Sequence, residues 1–481
     1  MEALDIATIK HKSIQGIIAL TSRTFIIQAI AFGATFLLTI FLTPSAFGIF
    51  YVVSAVISFL TYFSDIGLAA ALIQKKEALT EEDLKTTFTI QQVLVLSMCG
   101  IVLVTGPYIA NFYGLDNDGK ILLQALVLAF FLSSLKTIPS ILLERALDFK
   151  KLVIPQLVET ITFYGVVVVL AWKGFGIMSF SYGVVARAVV GLITIYWIAP
   201  WRMQIGYSKD VARTLLKFGI PFQLNSVLAL LKDDLMTIVL GKLLTFQDIG
   251  YIGWAKKWAE VPLRLIMDSV IRVTFPTFSR LQHDKVLLKK AIENALFGLS
   301  ITIVPISMGL IWFVGPSVSL FPKYTKWEPA LLSFSLFVLS SMIAGISTPL
   351  TNALNAVGKI KWTLYLMIGW TVATWILTIG LINAIGFNGV AVTAVIISTS
   401  IIIVMMMVKK VVSIEWWNIL QTPCIGGVTL CVWFGLLRGQ SPYTMPQLIF
   451  VALTGAILYS GVVWMREKKR IIAVLNLRKA L

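Results

Sequence analysis

The chain has 481 residues, of which 58% are hydrophobic and 13% are charged, and its mean hydropathy is +0.88. Globular chains carry about 25% charged residues, and apolar runs of about 20 residues, long enough to cross a bilayer core, recur along this whole sequence. This composition excludes a soluble domain and predicts an integral membrane protein. The net charge of +17 does not indicate a nucleic-acid partner, because the basic residues lie in alternating loops, as membrane topology requires.

The apolar runs predict an all-α, polytopic fold with about fourteen transmembrane helices. If the N-terminus is cytoplasmic, the cytoplasmic segments hold 25 Lys and Arg residues and the opposite loops hold six. Cytoplasmic loops are enriched in Lys and Arg, so we expect both termini to be cytoplasmic. We expect no cleavable signal, because the first apolar run is too long for one.

A weak internal repeat suggests how the spans are grouped. The turn TPSAFG at 43–48, before span 2, resembles TFQDIG at 245–250, before span 8, at an offset of 202 residues. We therefore expect two six-helix lobes, spans 1–6 at 1–200 and spans 7–12 at 214–415, joined by a basic cytoplasmic loop at 201–213. Two extra spans and a basic tail follow at 416–481. Repeated halves with a site at their interface are a common transporter plan.

Span 8, expected at 249–279, carries charges of alternating sign at four-residue spacing, namely Lys256, Glu260, Arg264, Asp268 and Arg272. Residues four apart on a helix are neighbours, so one interpretation is a self-neutralising ladder at a wet interface. The other interpretation, which we favour, is that this helix lines a polar, net-positive cavity, because ionisable residues inside a membrane usually face protein or water. Pro262 should kink the helix.

Other charges also lie inside the predicted spans. Arg23 is about nine residues into span 1, too deep to reach the interface easily, and it suits either a cavity or a structural pair. Glu159 and Arg187, on spans 5 and 6, are predicted to pair. In span 7, expected at 214–241, Lys232, Asp233 and Asp234 cannot share one face, so at least one Asp could bind or exchange a coupling cation.

No enzyme constellation is visible in the sequence. There is no Gly-rich phosphate loop followed by Lys and Ser or Thr, and no paired-Cys zinc pattern. The three cysteines and two histidines suit neither a disulfide framework nor His-based catalysis. We therefore expect no catalytic residues, no metal site and no cofactor.

Several stretches are similar to a known family. They are FLTPSAFGIF at 41–50, SDIGLAAALIQKKEALTEEDL at 64–84, GFGIMSFSYGVVARAVVG at 174–191, LLKFGIPFQLNS at 215–226, DDLMTIVLG at 233–241 and FPTFSRLQ at 275–282. The chain resembles the Wzx-type polysaccharide flippases of the multidrug/oligosaccharidyl-lipid/polysaccharide exporter (MOP) superfamily, in the branch that exports teichuronic-acid-type and colanic-acid-type polysaccharides.

The resemblance implies movement of an oligosaccharide on undecaprenyl diphosphate from the inner to the outer leaflet of a bacterial cytoplasmic membrane, by alternating access. A cationic cavity would bind the diphosphate; its candidate residues are Arg23, Arg187, Lys232, Lys256, Arg264 and Arg272. The candidates for coupling to H⁺ or Na⁺ are Asp233, Asp234, Glu260 and Asp268. The expected partners are the lipid-linked sugar, membrane lipids and a polysaccharide polymerase.

Other functions fit parts of this pattern. A cation-coupled multidrug exporter of the same superfamily should have a lumen rich in acids, whereas the spans here hold nine basic and about eight acidic residues. A flippase for a peptidoglycan precursor would share both fold and charge. A membrane-embedded polysaccharide polymerase should show long outer loops with acids, Arg or His, but the longest outer loop expected here, 315–327, has neither acids nor His.

Overall fold

The computed structural model describes residues 6–224, 227–437 and 443–479. Within these ranges the chain forms 18 α-helices and one short 3₁₀ helix, Pro322–Ala330, and it contains no strand. The helices are α1 (Ile6–Phe41), α2 (Pro44–Asp65), α3 (Leu68–Gln74), α4 (Glu81–Tyr113), α5 (Asn117–Ser134), α6 (Thr137–Arg145), α7 (Phe149–Trp172), α8 (Met178–Ile198), α9 (Lys209–Leu224), α10 (Val227–Leu243), α11 (Phe246–Leu281), α12 (Lys285–Leu320), α13 (Leu331–Ala356), α14 (Ile360–Ile385), α15 (Asn388–Thr399), α16 (Ile401–Lys409), α17 (Trp416–Leu437) and α18 (Met445–Lys479).

The predicted polytopic, all-α fold is confirmed. Eleven helical segments are long and apolar enough to cross a membrane, or twelve if α5 and α6, which are bent by 42°, form one span. The other two of the fourteen expected spans correspond to α9 with α10 and to α11. Helix α10 is shorter than these spans, with 17 residues, and α11 is more polar because it carries the charged ladder. Neither is therefore both long and apolar enough to be counted with them. The chain is a multi-pass membrane protein.

Contacts divide the chain into two compact units, residues 1–250 and 251–481. In the first unit, α7 packs against α1 and α8, α2 packs against α10, and α3 packs against α9. In the second unit, α12 packs against α13 and α17, and α17 packs against α18. Helices α9 and α10 thus pack within the first unit, whereas the sequence analysis grouped span 7 with the later spans. The lobe boundaries at 1–200 and 214–415 stay a prediction.

Two of the expected spans in the first unit are broken. Span 2 is interrupted by Ile66 and Gly67, which adopt φ angles of 40° and 77°, and the Asp65 carboxylate accepts a hydrogen bond from the Ala69 amide at the start of α3. Span 4 is interrupted between α5 and α6 at Leu135 and Lys136. The second break matters for function, because it brings Lys136 to α7.

The second unit contains an apolar and aromatic core. Trp327 is fully buried, although the sequence places it in an outer loop, because α12 extends to Leu320 and the 3₁₀ helix follows directly. Its ring stacks on Trp254 of α11, with 5.4 Å between the ring centroids. Burial of these large rings fixes the part of α11 around Trp254 within this unit.

Candidate anion-binding site

Helix α7 brings polar groups into the interior of the first unit. It begins after Asp148, whose carboxylate accepts a hydrogen bond from the Lys151 amide, and it lies between α1 and α8. Most of its residues are apolar, but Gln156 and Glu159 lie three residues apart. At that spacing side chains are neighbours on one face of a helix, with Cβ atoms about 5–6 Å apart. The helix therefore carries two oxygen acceptors one turn apart.

Arg23 of α1 binds the first of these acceptors. Its Nη1 donates to Gln156 Oε1 at 2.7 Å, and the side chain is half-buried. Its Nε is buried and has no hydrogen-bond partner among the described residues. A buried N–H without a partner costs free energy, so this guanidinium is held in place while part of its hydrogen-bonding capacity is unused.

Glu159 is the second acceptor, and two cations share it. The Lys136 Nζ lies 2.6 Å from Glu159 Oε1, and the Arg187 Nε of α8 lies 3.5 Å from Glu159 Oε2. The predicted pairing of Glu159 with Arg187 is confirmed. The carboxylate is buried, whereas 54% of the Arg187 side chain is exposed. A Cβ atom on Gly191 would overlap the carboxylate, so the glycine leaves the space that Glu159 occupies.

We call these five residues, Arg23, Lys136, Gln156, Glu159 and Arg187, the α7 belt. The belt holds three cationic side chains against one carboxylate, so it has two positive charges in excess. Buried charges are stabilised by partners, and an uncompensated one attracts a counter-ion. Arginine presents planar N–H donors that match phosphate oxygens. The α7 belt can therefore bind an anion, and phosphate groups suit its donors best.

The described part of the charged ladder on α11 differs from the belt. Lys256 is exposed and makes no ion pair among the described residues, whereas Glu260 pairs with Arg264 at 3.2 Å on the same helix. The Arg264 side chain is 69% exposed. The buried stripe of α11 runs one position earlier along the chain, through Ala255, Ala259 and Leu263. Helix α11 continues through Pro262.

Four other predicted site residues have side chains outside the described part of the structure, namely Lys232, Asp233, Asp268 and Arg272. Asp234 is half-buried and has an interaction partner, so it is not a free acid. Of the predicted residues, the structure thus brings Arg23 and Arg187 to one helix and keeps Glu260 and Arg264 together on another.

Two close backbone contacts hold α2 in the first unit. At its Pro44 end, a Cβ atom on Gly48 would overlap the carbonyl oxygen of Phe246, and a Cβ atom on Gly250 would overlap the carbonyl oxygen of Pro44. We call this contact the first crossing. Each pair of equivalent positions has the 202-residue offset of the predicted repeat. The two repeat-related turns therefore touch in a reciprocal way, and only glycine permits this approach.

At the Asp65 end of α2, Gly67 and Gly219 of α9 meet in the same manner, and we call this the second crossing. A Cβ atom on Gly219 would lie 2.7 Å from the carbonyl oxygen of Ile66. One turn away, the side-chain amide of Gln223 donates to the backbone carbonyl oxygen of Tyr62 at 2.9 Å. The Tyr62 hydroxyl donates back to the backbone carbonyl oxygen of Gln223. Helix α2 is therefore held by the first turn of α11 at one end and by α9 at the other.

Sequence reasoning missed the roles of Lys136, Gln156 and Gly191. The partner of Lys136 depends on the break between α5 and α6, which hydropathy does not reveal. The available signal was the spacing of Gln156 and Glu159, which puts two polar groups on one face of an otherwise apolar helix.

The described residues contain no group of three or more His, Cys, Asp or Glu side chains that could hold a metal ion. Cys99, Cys424 and Cys431 are free thiols in the same part of the chain. The site is therefore made of Arg, Lys, Glu and Gln side chains alone.

The fold defines the class of protein. It is similar to the lipid II flippase MurJ in an inward closed conformation, with a TM-score of 0.75 and 16% identity over 94% of this chain and 100% of that one. It is also similar to an inward-facing multidrug resistance MATE family transporter of the MOP superfamily, with a TM-score of 0.58 and 15% identity over 82% and 98% of the two chains. This chain is a polytopic membrane protein that shares the fold of these two proteins.

Sequence comparison then gives the family. The model of the family described as "Polysaccharide biosynthesis protein" matches residues 37–331, and the chain belongs to that family. Similar relatives include the succinoglycan biosynthesis transport protein ExoT of Rhizobium meliloti, 25% identical over 64% of this chain and 61% of the relative. The teichuronic acid biosynthesis protein TuaB of Bacillus subtilis is 22% identical over 63% and 62%. The lipopolysaccharide biosynthesis protein WzxC of Escherichia coli is 23% identical over 73% and 72%.

The matched region spans about three fifths of the length of ExoT and TuaB. The resemblance drawn from the sequence motifs is confirmed by the family match and by these relatives.

Proposed function

We propose that this protein is a flippase that moves an oligosaccharide linked to undecaprenyl diphosphate from the inner to the outer leaflet of a cytoplasmic membrane. It acts in the export of a cell-surface polysaccharide, and it is not an enzyme. Both termini are cytoplasmic. The observation that carries the proposal is the α7 belt, in which Arg23 and Arg187 keep unused donors inside a member of a polysaccharide biosynthesis family.

The chemistry of the belt suits the head group of such a lipid. A diphosphate needs several cationic donors, and hydrogen bonds between Arg and phosphate are among the strongest that side chains make. The apolar tail can stay in the bilayer, so only the head group has to leave water. The excess of positive charge disfavours a cationic drug as substrate, which is the main alternative.

The other predicted residues complete the proposal. Lys232, Lys256, Arg264 and Arg272 would line the path of the anion, and Lys256 and Arg264 are suited to this because both are exposed. Asp233, Asp234, Glu260 and Asp268 are the candidates for coupling to a proton or sodium gradient. A polysaccharide polymerase would use the product in the outer leaflet.

Transport would proceed by alternating access, and the two crossings support this part of the proposal. Contact at both ends of α2 would close a path on both sides, so that opening toward either side requires one crossing to separate. The first crossing joins the turns that the topology puts outside, and the second lies toward the cytoplasm. Among the described residues, neither contact contains an ion pair, so separating them exposes no unpaired charge.

The function is tested by leaflet transfer in proteoliposomes. A fluorescent oligosaccharide on undecaprenyl diphosphate and a cationic dye are assayed side by side, with and without a proton or sodium gradient. We expect protein-dependent transfer of the sugar lipid and none of the dye. Transfer of the dye alone would replace the proposal with a drug antiporter.

Alternating access is tested separately with the crossing glycines. We expect Gly250→Ala to keep the outer side open and Gly219→Ala to keep the inner side open, because each added methyl group overlaps backbone atoms. Ser54→Cys, introduced on α2 between the crossings after Cys99, Cys424 and Cys431 are replaced by Ser, reports access to an impermeant thiol reagent from each side.

The matched control is Gly33→Ala in α1, where a Cβ atom would have no neighbour within 4 Å. Opposite changes in access for Gly250→Ala and Gly219→Ala, with no change for Gly33→Ala, are the expected result. Labelling that is the same from both sides in all variants would contradict alternating access at these contacts.

A further inference from the structure

Lys136 and Glu159 lie beside the two arginines of the α7 belt, yet neither belongs to the predicted substrate-binding set. Lys136 is half-buried and Glu159 is buried, with 15% and 11% of their side chains exposed. Lys136 reaches Glu159 from the break between α5 and α6, so its position depends on the bend in that span. A Lys ammonium group in contact with a buried carboxylate balances the negative charge of that carboxylate.

The distances show how Glu159 divides its charge. Its contact with Lys136 is 2.6 Å long and its contact with Arg187 is 3.5 Å long, so Lys136 is the closer counter-ion. Arg187 approaches the carboxylate through its Nε, and no hydrogen bond joins its two Nη groups to the described residues. Arginine has five N–H donors. Glu159 therefore orients Arg187 without consuming its charge.

Arg23 is held in an equivalent way by Gln156, a neutral acceptor that cannot cancel its charge. Gln156 and Glu159 are one turn apart on α7, and the Cβ atoms of two residues at this spacing are about 5–6 Å apart. The two side chains that hold the arginines are therefore neighbours. Two adjacent phosphates of a diphosphate can each receive donors from one arginine, whereas a monophosphate presents a single phosphate that the two arginines have to share.

We propose that Lys136 is a positioning residue that neutralises Glu159, so that Arg187 keeps its charge and acts with Arg23 to select a diphosphate head group over a monophosphate. This inference rests on the proposed function. It adds the reason for the selectivity: Lys136 itself does not touch the ligand, and its effect passes through Glu159 and Arg187.

The test measures binding of undecaprenyl diphosphate and of undecaprenyl monophosphate to the full-length protein in nanodiscs. The wild type should prefer the diphosphate. Lys136→Met removes the counter-ion, so Glu159 pairs fully with Arg187, and we expect diphosphate affinity to fall about tenfold or more, the effect of one charge-assisted hydrogen bond. Monophosphate affinity should change little, and Lys136→Arg should retain the wild-type preference.

The double variant Lys136→Met/Glu159→Gln distinguishes this role from a structural one. It removes both charges of the close pair and leaves Arg187 charged, so we expect it to recover most of the diphosphate preference that Lys136→Met loses. Gly191→Ala, which forces the Glu159 carboxylate to move, should also weaken the preference, whereas Gly165→Ala on α7, with no neighbour within 4 Å, should not.

The outcomes separate the two proposals. If the wild type prefers the diphosphate and Lys136→Met keeps that preference, or if the double variant is no better than the single one, the positioning role is overturned and the flippase proposal stands. If the wild type binds neither lipid, the proposed function fails and this inference fails with it. Thermal unfolding of each variant shows that binding is compared between folded proteins.

Discussion

The α7 belt and the α11 ladder are both charged groups on long helices, but they pair in different ways. In the belt, the partners come from separate elements. Lys136 and Glu159 are 23 residues apart along the chain, and Arg23 and Gln156 are 133 residues apart. In the ladder, Glu260 and Arg264 pair four residues apart on one helix, with Arg264 mostly exposed. Pairs between helices fix the position of a guanidinium, whereas an exposed pair within one helix is worth only a few tenths of a kcal/mol.

This difference indicates which charges are organised for binding. Glu159 is buried among cations from two other elements, so each neighbour depends on it. The ladder could lose any one member and leave the helix intact. Removing charges from each region in turn tests this difference.

The largest expected effect is on stability and follows from Glu159→Leu. This change leaves Lys136 and Arg187 without their shared carboxylate, and breaking a buried pair in this way costs about 3–5 kcal/mol. We expect a clear fall in the free energy of unfolding, measured by denaturant unfolding in detergent micelles. The control, Glu81→Leu, removes an exposed pair with Lys85 and should change stability little. Equal effects of the two variants would remove the distinction between buried and exposed pairs.

A smaller but more informative effect is expected on transport. Arg187→Ala should reduce the rate of sugar-lipid transfer about tenfold or more, because a fixed charged donor is lost. Arg264→Ala should reduce it about two- to threefold, since that side chain is exposed and held only by its own helix. The measurement is initial transfer rate at equal amounts of inserted protein. A greater loss for Arg264→Ala would move the binding site from α7 to α11.

The smallest effect is expected for Glu260→Gln, which removes one ion pair within α11. Such pairs contribute about 0.2–0.5 kcal/mol, so the unfolding free energy should change by no more than that. Titration with salt sharpens the result, because an exposed pair weakens as ionic strength rises. A loss of several kcal/mol would show that Glu260 has a buried partner that its exposure does not suggest.

The sequence predicted the helices well because length and hydropathy determine them. The class of fold, most spans and the contact-forming turns at 43–48 and 245–250 were all accessible from pattern alone. The breaks at Ile66–Gly67 and at Leu135–Lys136 were not, because each lies inside a run that is long and apolar enough overall to be one continuous span. At the first break, the Asp65 carboxylate caps α3.

The site was predictable only in part for a related reason. Arg23 and Arg187 stood out as charges within apolar runs, and the Glu159–Arg187 pair could be expected on neighbouring spans. The pairing of Lys136 with Glu159 depends on the 42° bend between α5 and α6. The hydrogen bond between Arg23 and Gln156 joins residues that are 133 positions apart along the chain. Such contacts follow from helix packing, which a single sequence does not specify.

The most direct test of the central claim is leaflet transfer by the double variant Arg23→Ala/Arg187→Ala in proteoliposomes, with a fluorescent oligosaccharide on undecaprenyl diphosphate. The wild type and Gly165→Ala should transfer the lipid, and the double variant, folded and inserted to the same extent, should not. Transfer by the double variant at the wild-type rate would contradict a role of the α7 belt in moving the anionic head group.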